Sequence, residues 1–247
     1  MQETSGPSQL KAIHMSNDAL DLYTNSMGDE LGRFAFALGK EIANLSVSYT
    51  GYMQLYETNQ SRRDLIDEAA PAFFGLVKYL IASELMLGLC RITDPAKTMG
   101  KCNLTVQALE ALVETMLPGG SSVLKQPVDA SKIATQFARD WRNRLYAHRD
   151  KGLSLNDGTS PLLAQANVKD IDVAISALNE VMMVLLTKFG WTSCDFRRVS
   201  GGIGAMGLLR VIDEGLQARN ARTRRVESGT ATVDDEKILE KFADPSW

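Results

Sequence analysis

The residues best suited to chemistry lie close together in the second half of the chain. Residues 139–151 contain five arginines and lysines against two aspartates, and they include His148, one of only two histidines in the sequence. An arginine can bind a phosphate group through a planar fork of N–H donors, and a histidine can act as general acid or base near neutral pH. Arg142, Asn143 and His148 therefore supply side chains for acid–base chemistry on an anionic group.

One helix is predicted to carry this cluster, over residues 127–151. Asp129 or Ser131 can cap its beginning, and Gly152 is a signal for its end. The apolar stripe that should face the core recurs at steps of three to five residues and consists of Ile133, Phe137, Trp141, Leu145 and Tyr146. The opposite face is polar and basic, with Arg139, Arg142, Asn143 and Arg149.

The spacing of the arginine and the histidine raises a geometric problem. Six steps along an ideal α-helix place His148 about 240° round the axis from Arg142, so the two do not share a face. Arg144 and His148, four residues apart, do share one. Either the helix is distorted at its end, or each site is assembled from both chains of a two-fold dimer.

The first third of the chain is predicted to be helical as well. A long helix runs from about residue 17 to 59, with a break at residues 25–28. The next section kinks or restarts at Pro71, because proline fits the first turn of a helix and disrupts its interior. Residues 72–92 are apolar nearly all round, and we expect them to form the most buried helix.

Three further helices follow from capping and turn signals. Asn103 can cap a short helix through Met116, and Asn167 can cap one that ends before Gly190. The last helix is predicted to begin at about Ile203. Because no strand pattern reaches a useful length, the chain is predicted to be an all-α bundle of six or seven helices.

The predicted domain organisation is simple. Residues 1–16, which include His14, read as a flexible leader, and residues 17–226 as one helical domain. Residues 227–247 have little apolar content to bury, and we expect a weakly ordered C-terminal tail.

Composition excludes several classes of protein. A net charge of −3 and a pI of about 5.5 argue against a general nucleic-acid coat. The three cysteines form no CxxC pair, so we expect free thiols in the cytoplasm and neither a metal site nor a cofactor. No signal peptide is visible, and Lys78 and Glu84 interrupt the apolar run 73–90, which favours a soluble helix over a membrane span.

One motif in the C-terminal part points to a different function and is rejected. Residues 202–207 match the glycine pattern G-x-G-x-x-G of dinucleotide-binding folds. That fingerprint requires a strand before it and a second strand with an acidic residue about twenty positions later. Neither is present, so the glycines are predicted to form a loop that leads into a terminal helix.

Three segments in a fixed order resemble a known family. They are EAAPAFFGL at residues 68–76, RITDP at residues 91–95, and the stretch from Trp141-Arg142-Asn143 to His148-Arg149-Asp150. Together they resemble the abortive-infection (AbiU-like) branch of the HEPN superfamily, over roughly residues 17–215. The resemblance implies an all-α HEPN-like bundle, kinked near Pro71, that works as a homodimer on RNA in antiphage or toxin–antitoxin defence.

The same resemblance assigns roles to individual residues. His148 would act as general base or acid, Arg142 would bind the phosphate, and Asn143 would orient the histidine or bind the phosphate, in a metal-independent endoribonuclease. The residues expected to bind RNA are Arg139, Arg144, Arg149 and Lys151. The residues expected to support the site are Arg91, Asp94 and Tyr146.

Three other interpretations remain open from the residues alone. Arg91 and Asp94 lie three apart at a helix end, and the simplest prediction is that they pair with each other. Arg142 and His148 could likewise be a structural helix end, in a non-enzymatic module that keeps the fold for dimerisation or ligand binding. A third reading is a toxin that functions only with an antitoxin protein.

Overall fold

Helices make up almost all of the regular structure. The computed structural model describes residues 17–147, 149–156, 158–191, 195–198 and 204–241. In these ranges there are eleven α-helices: α1 Asn17–Met27, α2 Asp29–Leu55, α3 Gln60–Ala69, α4 Pro71–Thr93, α5 Val106–Met116, α6 Ser122–Ala134, α7 Gln136–Trp141, α8 Lys151–Leu155, α9 Val168–Lys188, α10 Gly204–Glu227 and α11 Val233–Lys241. The all-α prediction is confirmed, with more and shorter helices than the six or seven expected.

Short elements fill the gaps between the helices. A π-helical turn at Arg142–Tyr146 follows α7, and a 3₁₀ turn lies at Phe196–Arg198. The strands β1 (Lys97–Thr98) and β2 (Lys101–Cys102) form one antiparallel hairpin in the segment between α4 and α5. Asn103 does not cap α5 as predicted. Thr105 does, and the Asn103 side chain instead donates hydrogen bonds to the Pro95 carbonyl and the Thr98 hydroxyl.

The chain divides into two compact units. The larger contains the described residues of Met1–Tyr52 and Lys78–Gly201, and the smaller those of Met53–Val77 and Gly202–Trp247. The predicted N-terminal break is confirmed, since Gly28 has a φ of 82° between α1 and α2. The predicted restart is confirmed as well, because α4 begins at Pro71.

Helix α9 is the central helix of the larger unit. Asn167 caps it, as predicted, because its side chain accepts from the Lys169 and Asp170 amides while the Asp170 carboxylate accepts from the Asn167 amide. The buried face of α9 consists of Ile171, Ala174, Ile175, Leu178, Val181, Met182, Leu185 and Leu186. Helix α6 packs along it.

Helix α4 is not the most buried helix, contrary to the prediction. Its buried residues lie mainly towards its end, at Leu85, Met86, Leu89 and Cys90. Large apolar side chains are exposed nearer its beginning, at Phe73, Leu76, Tyr79 and Leu80. Composition predicted burial all round, but a helix is buried only where other elements cover it. By length and composition alone, α4 is also the one helix in the described ranges that could cross a membrane, a test that core helices of soluble proteins pass too.

The predicted helix over residues 127–151 is divided among α6, α7, the π turn and the start of α8, and its fully buried positions differ from the predicted ones. Helix α6 begins at Ser122, so neither Asp129 nor Ser131 caps it, and Gly152 lies inside α8 rather than ending a helix. The predicted stripe fails at Ile133, which is 76% exposed. The buried positions follow a step of four or three residues through Leu124, Val128, Ser131, Thr135 and Ala138. Small and hydroxylated residues occupy part of this face beside Leu124 and Val128, whereas Phe137, Trp141 and Tyr146 of the predicted stripe are partly buried and pack against the core as expected.

The described part of the predicted tail contains helix α11. At its start the Asp235 carboxylate accepts hydrogen bonds from the Arg225 guanidinium, at 2.9 and 2.5 Å, and from the Thr232 amide at 3.0 Å. Arg225 first, and then Thr232, hold the pKa of this carboxyl well below its usual range. The limits of the leader, the domain and the tail stay predictions.

Truncating the α9 core should be costly. Leu178→Ala removes methyl groups from a fully buried position, and we expect the free energy of unfolding to fall by about 2–5 kcal/mol. Val173→Ala on the same helix changes a side chain that is 58% exposed, and should cost less than about 0.5 kcal/mol. Urea denaturation measures both, and equal losses would contradict this assignment of the buried face.

Candidate functional site

Two arginines converge on one carboxylate in the larger unit. Asp94 follows the last residue of α4, and its Oδ1 lies 2.7 Å from Arg139 Nη1. Arg142 Nη1 donates to both Asp94 oxygens, at 3.0 and 2.9 Å. The three side chains are each about a quarter exposed. Because Arg139 and Arg142 are three residues apart, α7 and the π turn present both on the same side.

The predicted pair of Arg91 with Asp94 is therefore wrong. Arg91 Nη2 lies 2.5 Å from Glu84 Oε1, two turns back along α4, and both side chains are about half exposed. Asp94 lies beyond the end of the helix, where its carboxylate meets arginines that come 45 and 48 residues later in the chain. Of the residues expected to support the site, Asp94 is in direct contact with Arg142, and Arg91 is bonded to Glu84.

A network of buried hydroxyls fixes the end of α4 beneath this pair of arginines. Arg139 Nη2 donates to the Thr93 carbonyl at 2.8 Å and to its hydroxyl at 3.1 Å. The Thr93 and Thr135 hydroxyls are 3.0 Å apart, and both residues are fully buried. Gln107 Nε2 donates to the Thr93 and Asp94 carbonyls. The last carbonyls of α4 thus have partners, which helps to hold Asp94 in place.

The helix that carries the motif is distorted just before His148. The Ala147 amide donates to the Arg142 carbonyl at 2.7 Å, a step of five residues instead of four. Such wide π turns occur frequently at functional sites. Of the two solutions to the spacing problem, distortion at the helix end is thus present. His148, like His14, lies outside the described residues.

Arg142 has one edge of its guanidinium available. Nη1 is bonded to Asp94, and Nε donates to Asn143 Oδ1 at 3.0 Å. Within the part of the chain that the structure describes, Nη2 has no acceptor. Asn143 is exposed. The arrangement holds Arg142 from two sides and leaves the N–H groups of Nη2 for an anion.

The four residues predicted to bind RNA fall into two groups. Arg149 and Lys151 are exposed. Arg139 is held by Asp94 and Thr93, as described above. Arg144 is only 17% exposed, and it donates to Asp140 at 3.3 Å and to the carbonyls of Pro161 and Leu162. Arg139 and Arg144 are thus committed to partners within the chain.

Tyr146 anchors the end of the π turn by packing. Its ring centroid lies 5.7 Å from that of Tyr79 and 6.2 Å from that of Trp141, with which it is stacked. Burial, more than the neighbouring Tyr79 and Tyr52, raises the pKa of the Tyr146 hydroxyl. The residue therefore stays neutral at physiological pH and supports the site through contact.

Several residues of the site were missed in the sequence. Asp140 lies four residues before Arg144, a spacing that does predict an ion pair on a helix. Thr93, Thr135 and Gln107 give no such signal, because their partners lie far away in the chain. Burial raises the pKa of the nearby Cys90 thiol, which is therefore no ready nucleophile. Among the described residues, no group of three or more His, Cys, Asp or Glu could hold a metal ion.

Comparison with known proteins gives one match. A family model described as HEPN_AbiU2, AbiU2, matches residues 28–199, a range that includes every candidate site residue. No curated protein matches the chain, and no solved structure does.

The shared carboxylate should matter more than its exposed neighbour. Asp94→Asn leaves two guanidinium groups facing a neutral amide, and we expect a loss of roughly 1–3 kcal/mol in the free energy of unfolding. Glu84→Gln is the matched control on the same helix, since it breaks only an exposed ion pair and should cost less than about 1 kcal/mol. Urea denaturation of both variants at low and high salt makes the comparison. A larger loss for Glu84→Gln would contradict the assigned network.

Proposed function

The chain belongs to the AbiU2 family of HEPN domains, and from this premise we propose that it is a metal-independent endoribonuclease of abortive-infection defence. The observation that carries the proposal is the state of Arg142. A carboxylate and an amide hold this guanidinium in place, and one edge stays available directly beside the π turn that leads to His148. The proposed location is the cytoplasm, where RNA and reduced thiols are found together.

The proposed reaction uses only groups of the chain and the RNA. The ribose 2′-oxygen attacks the adjacent phosphorus, a new P–O2′ bond forms, and the P–O5′ bond breaks. The 2′-hydroxyl loses its proton to a base, and the leaving 5′-oxygen gains one from an acid. We assign one of these roles to His148, because an imidazole can serve as base when neutral and as acid when charged. Only RNA carries the 2′-hydroxyl that this reaction needs.

Arg142 has the electrostatic role in this proposal. Negative charge grows on the non-bridging phosphate oxygens as the 2′-oxygen attacks, and a guanidinium that is already oriented stabilises this charge. Asp94 balances the charge of one arginine, so the cluster of Asp94, Arg139 and Arg142 keeps a net charge of +1. That excess charge favours an anion at the free edge.

We propose a homodimer as the working form. Tyr79 and Leu80 of α4 are exposed, and the Tyr79 ring contacts Tyr146 at the end of the π turn. An exposed apolar surface next to the site suits contact with a second copy of the chain. In such a dimer each site combines Arg142 of one chain with His148 of the other.

A second candidate function also has support from one observation. Arg139 and Arg142 both contact Asp94, which is what a purely structural helix end needs. A non-enzymatic HEPN module, for dimerisation or for binding an antitoxin protein, would keep this ion pair and cleave no RNA. The two functions differ in whether purified protein cleaves RNA and loses that activity in the Arg142→Ala variant.

Removal of either proposed catalytic residue should abolish cleavage of RNA. We expect His148→Ala and Arg142→Ala each to lower the rate by roughly 100- to 10,000-fold, and Arg142→Lys to restore little, because an ammonium lacks the planar fork. The rate is measured on total RNA between about pH 6 and 8, the range of a histidine titration, and EDTA should leave it unchanged. Arg91→Ala removes an exposed arginine bonded to Glu84 and is the matched control. Wild-type protein that leaves RNA intact would support the non-enzymatic module.

Two inactive variants should restore activity when they share a dimer. In a mixed dimer of Arg142→Ala and His148→Ala chains, one of the two shared sites has an intact arginine and an intact histidine. Co-expression with different affinity tags isolates this dimer, and we expect about half of the wild-type activity because one site of two is intact. A mixed dimer without activity, or a monomer in light scattering, would show that the site does not use both chains.

A further inference from the structure

A short segment after α8 is bonded to the end of α7 and to the π turn. We call residues 160–164 the strap; they form neither helix nor strand. The Ala164 amide donates to Asp140 Oδ2 at 2.7 Å, and Trp141 Nε1 donates to the Ala164 carbonyl at 2.7 Å. Arg144 donates to the carbonyls of Pro161 and Leu162. Four polar backbone groups of the strap are therefore paired with one short stretch, residues 140–144.

The beginning of the strap is fastened as well. The Ser160 hydroxyl lies 2.5 Å from Asp150 Oδ1, and the same carboxylate oxygen caps α8 by accepting from the Leu153 amide at 2.8 Å. Gly152 of α8 is buried, and a Cβ there would collide with the Thr159 and Ser160 side chains. The strap is thus bonded to residues that precede the π turn and to Asp150, which follows it.

Arg144 is the residue that joins these parts. Its guanidinium contacts Asp140 in α7, lies 3.8 Å from Asp150 at the start of α8, and bonds the strap. The Arg144 carbonyl also accepts from the Asp150 amide at 3.0 Å. A π turn contains one residue more than an α-helical turn and is rare, and the bonds of Arg144 to α7, α8 and the strap help to hold it.

We infer that Arg144 is a positioning residue that fastens the strap to the π turn and thereby fixes the direction in which the turn presents Arg142. The expected effect of Arg144 on the rate of RNA cleavage rests on the proposed ribonuclease function. The inference also replaces the expectation that Arg144 binds RNA. A misplaced catalytic group costs turnover, by up to about 100-fold for a shift of about 1 Å, whereas a lost phosphate contact costs affinity.

Arg144→Ala separates these two roles by kinetics. For a positioning residue we expect kcat for a defined RNA oligonucleotide to fall by roughly 10- to 100-fold, with the Kd for the oligonucleotide and its salt dependence unchanged. For an RNA contact, the affinity would fall and the slope of log Kd against log salt would drop by about 1. The second result would overturn the inference.

Asp140→Asn should raise the affinity for RNA if Arg144 contacts RNA, and should lower kcat if Arg144 is a positioning residue. If Arg144 contacts RNA, removing its nearest negative charge should strengthen RNA binding and leave turnover intact. If Arg144 is positioned with the strap, the change weakens the bonds of Asp140 to Arg144 and to the Ala164 amide, and kcat should fall. Tighter RNA binding with full turnover would overturn the inference.

A change in the strap itself tests the mechanism without altering any charge. Ala164→Pro removes the backbone N–H that donates a hydrogen bond to Asp140, and should lower kcat as Arg144→Ala does. Leu162→Ala is the matched control within the strap, because its side chain is 90% exposed and its carbonyl is retained. Full activity in Ala164→Pro would overturn the role of the strap, even if Arg144→Ala failed to fold.

Hydrogen exchange makes the test independent of RNA cleavage. In the full-length protein, Arg144→Ala should speed exchange of the Ala164 and Ala147 amides, both of which are hydrogen-bonded in the wild type, relative to amides in α9. Unchanged exchange would overturn the inference. If the wild type cleaves no RNA but exchange responds as expected, the ribonuclease proposal fails and the strap contact stands.

Discussion

The half-buried carboxylate of Asp94 is the constraint on which the site depends. Two guanidinium groups reach it from α7 and the π turn, and its negative charge between them offsets their mutual repulsion. Removing one partner of such a cluster leaves charge without compensation, which costs more than an exposed ion pair contributes. Asp94 therefore ties the end of α4 to residues that come more than forty positions later.

Local signals in the sequence predicted the elements well where neighbours in the chain determine them. Asn167 caps α9 and Pro71 begins α4 because each acts on its own helix turn. The inward face after Ser122 was predicted only in part. Phe137 and Trp141 pack against the core as expected, but Ile133 faces solvent, and the fully buried positions include Ser131 and Thr135, whose hydroxyls have partners within the fold. Periodicity of large apolar residues does not identify the positions that small polar residues fill.

The contacts within the candidate site were even harder to predict from the sequence. Arg142, Asn143 and His148 could be selected from residue type and spacing, and Asp94 only as a neighbour of Arg91. The true partners of Asp94 depend on tertiary packing that brings α4 and α7 together. Arg144 is the clearest case, because a basic residue in a basic cluster predicts a surface contact, whereas Asp140 and backbone carbonyls surround it. Sequence indicates which groups are available, and packing determines which of them are already paired.

The π turn at Arg142–Tyr146 also affects how the motif tolerates changes of length. A π turn contains one residue more than an α-helical turn, and this one ends its helix, since residues 149 and 150 are not helical. Deletion of a single residue within it would let the turn close as a regular α-helix, so α7 and α8 could both keep their length. The spacing between Arg142 and His148 can thus change by one residue through the turn alone. Among homologous chains, we expect a gap of one residue at this point to be tolerated.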